Sequence, residues 1–247
     1  MPPLHAATLV SPQALHQALQ APGLLLLDAS VELAAAQFDG DYRVASGHAA
    51  WQAEHIPGAR HADLLHDLAD PEAGFSFALP TPSALQAPLA RLGLGAAREI
   101  VLYDRHDGFW AARLWWMLRS LGIAARVLDG GLKAWRHAGL PLASGDQPAA
   151  VDTAPLAPLQ AQAGFWANRQ EVLAVVEGRA PGTLVCALSA GLFDGSAVTR
   201  YARRGRIPGS LNSPARNLFD EQGRYLPPAE LAQALGAPLL DGGHPRI

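Results

Sequence analysis

The sequence has one cysteine, Cys186, in 247 residues. A lone thiol excludes an intramolecular disulfide, a CxxC redox pair and a metal site built from four thiolates. Charge is scarce as well: charged residues make up 17% of the chain and the formal net charge is −3. The one basic cluster is "RYARRGR", Arg200 to Arg206. That excludes a dedicated nucleic-acid binder, whose affinity comes largely from neutralising phosphates. Long apolar runs are missing too. The longest aliphatic stretch, Leu24 to Leu27, is far too short to span a bilayer. The N-terminal "MPPLHAATLVSPQAL" lacks the basic flank and apolar segment of a signal peptide. The expectation is a soluble, cytoplasmic protein with no membrane partner. No GxxxxGK or HExxH occurs, and the spacing of His48, His55, His61 and His66 fits no zinc pattern. Neither metal nor cofactor is expected.

Apolar residues, by contrast, reach 49%, ample for a core, and the length suits one large domain or two modest ones. Ser11-Pro12 before "QALHQAL" and Thr81-Pro82 before "SALQAPLARL" each offer an N-cap followed by proline at the first helical position. The continuous apolar runs "GLLLLDAS", "EIVLYDR" and "TLVCALS" read as strands buried on both faces. Helical patterns such as "FWAARLWWMLRSLG" lie between them, which predicts an α/β fold, a parallel sheet with helices on both faces. Residues 143–162, rich in Ala, Pro, Gly and Gln, read as an exposed linker between a domain at 1–142 and another at 163–247.

An internal repeat organises the chain. "LLLLDASVELAAAQFDGD" then "EHIPGARHADLLHDLADPE" runs from Leu24 to Glu72. "TLVCALSAGLFDGSA" then "GRIPGSLNSPARNLFDEQG" runs from Thr183 to Gly223. Strand, FDG, IPG and a Leu-Asp segment recur in the same order, and each IPG suits a type II turn. The repeat aligns Cys186 with Asp28.

At these motifs the sequence resembles the tandem-domain rhodanese family, the thiosulfate and 3-mercaptopyruvate sulfurtransferases. "EHIPGAR" is similar to that family's GHIPGA turn. Val101 to Leu142, "VLYDRHDGFWAARLWWMLRSLGIAARVLDGGLKAWRHAGLPL", resembles the closing half of its first domain. "FDGSA…RRGRIPGSLNSPARNLFDEQGRYLPPAEL" resembles the opening half of its second. The resemblance implies a structural first domain and a catalytic second one. In the latter, a cysteine begins a loop of the form CGSGVTA at a strand end. The loop's N–H groups would cradle a persulfide that carries sulfane sulfur from a small anionic donor to an acceptor such as cyanide.

The sequence departs from that pattern in three places. The second repeat ends at "LPPAELAQALGAPLLDGGHPRI", so the second domain is expected to be incomplete and to lack the catalytic-loop half. In the first domain, Asp104 of "VLYDRHDGFWAAR" stands where a thiol would sit and would repel an anionic donor. Where the family's second-domain strand reads VDAR or VDSR, this chain reads Val185, Cys186, Ala187, Leu188. No catalytic residue is therefore assigned. Cys186 is not equivalent to the family nucleophile and reads as a core residue. Nor does it begin a phosphatase-type Cys-x5-Arg, since Leu192 occupies the required position.

Arg203 and Arg206 remain candidates for anion binding, within a loop that also holds Arg200 and Arg204 and that reads most simply as solvated charge. Arg113 is expected to anchor its helix to a carboxylate, His55 to pack a turn, and Trp115, Trp116 and Trp135 to lie in the core. The "DGG" of Asp129 to Gly131 reads as a turn. Three functions stay open: sulfur transfer with doubtful activity in this chain, a non-catalytic module binding anions or a protein partner, and a truncated gene product.

Overall fold

The computed structural model describes residues 8–106, 108–146 and 154–240. They divide into two units, one of residues 1–32 and 45–163 and one of residues 33–44 and 164–247.

The chain begins with β1 (Leu9–Val10), α1 (Pro12–Ala18), β2 (Leu24–Asp28) and β3 (Val31–Leu33), the last paired with β4 (Val44–Ser46) as a two-stranded arm whose residues 33–44 group with the second unit. Next come α2 (His48–Ala53), β5 (Arg60–His61), α3 (Pro82–Arg91), β6 (Glu99–Tyr103), α4 (Phe109–Ser120), β7 (Arg126–Leu128) and α5 (Gly131–His137). The sheet order is β1-β7-β6-β2-β5, all parallel. The two apolar runs, "LLLLD" and "EIVLY", hold its centre in register from Leu24 opposite Glu99 to Asp28 opposite Tyr103. Their neighbours pack Leu26, Val101, Tyr103, Ile56, Leu128, Leu132 and Trp135 into one cluster. Full burial of each such side chain stabilises the fold by roughly 1.5–3 kcal/mol. Ser11 and Thr81 cap their helices by accepting the N–H of Ala14 and Ala84.

Residues 143–146 and 154–162 of the expected linker group with this unit. Gln86 donates to the Leu156 carbonyl at 2.8 Å and accepts from the Leu159 N–H at 3.0 Å. The Gln162 N–H reaches the Ser120 carbonyl at 2.7 Å. Residues 147–153 lie outside the described residues.

Two expectations for α4 are corrected. Trp116 is 38% exposed, because it falls on the face of α4 opposite Leu114 and Leu118, which are buried. Arg113 donates to the Phe77 carbonyl and lies over the Phe77 ring at 5.8 Å, rather than meeting a carboxylate. Trp135 is fully buried, as expected, and Trp115 is half-buried.

The second unit holds α6 (Arg169–Val176), opened by an Asn168–Glu171 capping box, then β8 (Val185–Cys186) and α7 (Ala190–Asp194). After these come β9 (Leu211–Asn212), a 3-10 turn (Ala215–Leu218), α8 (Pro228–Leu235) and α9 (Ala237–Leu240). The "TLVCALS" run supplies only a two-residue strand, half-buried rather than buried on both faces. The repeat is nonetheless in register. Leu27 and Asp28 pair with Arg60 and His61 as Val185 and Cys186 pair with Leu211 and Asn212. Both IPG turns close in the same way: Ala59 N–H to the Ile56 carbonyl, Ser210 N–H to the Ile207 carbonyl. The glycine in each, Gly58 and Gly209, has φ near +80°, as a type II turn requires. Within this unit Asp39 accepts the Thr199 N–H and pairs with Arg204 at 2.7 Å, and Tyr42 stacks on Tyr201.

Candidate functional site

In the first sheet the chain leaves β2 toward β5 on one side, then returns to place β6 and β7 on the other. Such a reversal opens a crevice at the carboxyl ends of the two central strands. The residues delivered there are Asp28, at the end of β2, with Ala29 and Ser30, and Asp104 to His106 and Gly108 after β6.

The loop after β6 is a cradle of N–H groups leading into α4, and its occupant is Asp104. One carboxylate oxygen accepts the N–H of His106 and Gly108, the other the N–H of Trp110 and Ala111, all at 3.0 Å. Asp104 is 1% exposed. The sequence led to the expectation that this carboxylate would repel an anion. The geometry is stronger than that, since the carboxylate itself takes the anion's place. The loop is fixed from outside by Ser30 Oγ, which accepts the Arg105 N–H at 3.1 Å, and by Arg105 donating to the Glu54 carbonyl at 2.6 Å. The "DGG" turn packs under it. The Leu132 N–H donates to the Asp104 carbonyl, and a Cβ on Gly131 would stand 2.5 Å from that oxygen. Only glycine fits there.

Asp28 has no solvent exposure. One oxygen accepts the Ser30 N–H at 2.9 Å, and Oδ2 has no hydrogen-bond partner among the described residues. Burial pushes its carboxyl above the usual carboxylate range, against the opposing pull of Ser30 and His61. Burial, together with the negative charge of Asp28, pushes the Tyr103 phenol well above its ordinary value. The Tyr103 hydroxyl accepts the Ile56 N–H, which ties the IPG turn to the sheet. His55 stacks on Trp51 at 4.7 Å and its Nδ1 meets the Trp51 carbonyl at 2.7 Å, a turn-packing role. No group of three or more His, Cys, Asp or Glu suited to a metal ion occurs among the described residues. Nor is any helix among them long and apolar enough to cross a membrane.

In the second unit Cys186 is half-buried, and its sulfur has no partner among the described residues. The helix after it, α7, begins only at Ala190. The Asn212 amide donates to the Cys186 and Leu188 carbonyls at 3.0 and 2.8 Å. Of the arginine candidates, Arg206 covers the Phe193 ring at 4.3 Å and donates to the Phe193 carbonyl. Arg200 donates to the Ala34 carbonyl and Arg204 is paired with Asp39. Arg203 is exposed and engages no group among the described residues. The structure therefore does not converge Arg203 and Arg206 on a common point.

Sequence reasoning missed the four N–H bonds on Asp104 and the orphaned oxygen of Asp28. The first had a signal: an aspartate directly after a strand, followed by a glycine and a helix, is placed to accept the loop's own donors.

Comparison with known proteins gives one answer. The family model described as Rhodanese-like domain matches residues 11–138. A probable 3-mercaptopyruvate sulfurtransferase of Pseudomonas aeruginosa is 36% identical over 254 residues, covering 97% of this chain and 81% of that protein. The 3-mercaptopyruvate sulfurtransferase of Homo sapiens is 31% identical, covering 97% and 80%. Among solved structures, SseA of Escherichia coli aligns with a TM-score of 0.74 at 24% identity over 93% of this chain and 83% of its own. Those matches lead to one assignment: the chain belongs to the rhodanese-like sulfurtransferase family.

Proposed function

We propose that residues 1–247 are the scaffold of a 3-mercaptopyruvate or thiosulfate sulfurtransferase and do not themselves carry the sulfur. The relatives' reaction class needs a thiolate that attacks the donor's outer sulfur, breaks its bond to the rest of the donor and holds the resulting persulfide until an acceptor removes it. A persulfide of this kind is held by loop N–H groups at a strand end. The observation that carries the reading is Asp104: the cradle after β6 is filled by a carboxylate that accepts four N–H bonds. A carboxylate so held has no sulfur to offer and occupies four of the loop's donors.

Cys186, the one thiol in the sequence, stands on β8, flanked by Val185 and Ala187, without a cation on its sulfur. Free cysteine in such surroundings behaves as a small apolar side chain. The second unit is read as the opening half of a rhodanese-like domain, its catalytic-loop half not among the described residues.

The test is thiocyanate formation by the purified chain from cyanide with thiosulfate or 3-mercaptopyruvate. The expected result is no turnover above blank, with a native circular dichroism spectrum and no sulfur added to the protein mass. Turnover that disappears in Cys186→Ser would overturn the reading.

A further inference from the structure

Part of the chain between the two repeats is held by the first unit in the manner of a bound peptide. Residues 154–159, "APLAPL", form neither helix nor strand. Proline recurs there after three residues, and so does leucine. That is the spacing of an extended polyproline-type helix, in which residues three apart fall on one side. Burial follows the spacing: Leu156 and Leu159 are half-buried, while Pro155, Ala157 and Pro158 are exposed.

One side chain of α3 makes most of the polar contact. Gln86 donates to the Leu156 carbonyl at 2.8 Å and to the Ala157 carbonyl at 3.1 Å, and its oxygen accepts the Leu159 N–H at 3.0 Å. An amide turned the other way would set its oxygen against two carbonyls and its nitrogen against an N–H. The approach is also close at Gly95. A Cβ there would stand 2.0 Å from the Ala154 carbonyl oxygen and 3.0 Å from the Leu156 nitrogen, so the segment admits no side chain at that position. Further along, the Gln162 N–H donates to the carbonyl of Ser120, the last residue of α4, at 2.7 Å. Backbone groups read by a fixed side chain, with spaced apolar anchors beside them, are how extended proline-rich peptides are recognised. The exposed prolines have no N–H to satisfy.

We propose that residues 154–162 are a detachable latch, a proline-spaced peptide ligand that the chain carries itself and seats in a groove of the first unit defined by Gln86 and Gly95. The groove selects an extended segment with leucines three apart. It reads the carbonyls of the first leucine and of the residue after it, and the N–H of the second leucine. A ligand on a short tether has an effective concentration on the order of millimolar, so modest contacts keep the groove filled. Release of the latch lengthens the connection between the two units. The inference concerns the first unit alone and is independent of the sulfur-transfer reading.

Amide exchange in the full chain tests whether the latch opens as one piece. In Gln86→Ala the acceptor of the Gln162 N–H is untouched, yet that amide should exchange about tenfold or more faster, because a cooperative segment is released together. Leu114 and Leu118 of α4 should keep their rates. An unchanged rate at Gln162 overturns the proposal, since the contacts would then act separately. Loss of protection along α4 equally overturns it, since the segment would then be part of the core.

Binding in trans tests the groove. The probe is a fluorescein-labelled peptide of residues 154–162, and the receptor is the full chain carrying Leu156→Asp and Leu159→Asp, which empty the groove. Fluorescence anisotropy should show binding at least about tenfold tighter than to the unaltered chain, whose own segment competes. Adding Gln86→Ala to the receptor should abolish it. No binding to the emptied groove, equal binding to both chains, or binding that survives Gln86→Ala overturns the proposal.

Discussion

Asp28 lies opposite Tyr103 across the β2–β6 ladder, so a carboxyl and a phenol share a site that water does not reach. Burial raises the folded-state value of Asp28 above its ordinary 3.8. Below that ordinary value the carboxyl is protonated in both states, and the burial of its charge costs nothing. As pH rises from there through the folded value, the unfolded chain releases its proton first and stability falls.

Asp28→Asn keeps an acceptor for the Ser30 N–H and never ionises. It should raise stability at pH 7 by about 1–3 kcal/mol, because a charged carboxylate carries that desolvation cost where water does not reach and a neutral amide does not. Urea unfolding at a series of pH values checks this. The gain should shrink to nothing near pH 4; a gain that is flat with pH, or a loss at pH 7, would refute the assignment.

Asp104 makes the opposite prediction. Its buried carboxylate accepts four N–H groups, that of Ala111 buried and the other three partly so, and Asp104→Asn changes the shape of the side chain very little. An amide nitrogen would nevertheless point donors at donors. The substitution should cost about 3 kcal/mol or more, since each orphaned buried donor costs about 1–3 kcal/mol. A loss under about 1 kcal/mol in urea unfolding would mean that the loop is held by something else.

The two units should also differ in stability. Among the described residues from 164 to 240 only Leu184 and Thr199 are buried, and α6, α7 and α8 have no buried residue among them. The first unit, by contrast, buries five residues of α4 alone. Amides of α8 should exchange with deuterium at least about a hundredfold faster than those of α4, reflecting a smaller opening free energy. Equal protection would contradict the difference in burial.

Much of this was readable from the residues. The ordered repeat aligned Cys186 with Asp28, and the strand register places them in equivalent positions. Apolar runs at Leu24 and Glu99 identified the central strands because a strand buried on both faces cannot hide its composition. What escaped was set by distant partners. Whether "TLVCALS" becomes five paired residues, as β2 does, or two depends on a neighbouring strand, and local sequence is silent on that. The same holds for Trp116, whose exposure is fixed by how α4 is rotated, and for Arg113, which met a carbonyl instead of a carboxylate. The grouping of residues 33–44 with 164–247 likewise rests on contacts such as Asp39 with Arg204.

That grouping bears on how the protein can be divided. A cut between the two repeats would divide the second unit, which includes residues 33–44. A fragment beginning at Gly164 would lack Asp39 and Tyr42, and with them the partners of Thr199, Arg204 and Tyr201. The segment between β3 and β4 ties the second repeat to residues encoded in the first, so subcloning at the linker would not move it intact.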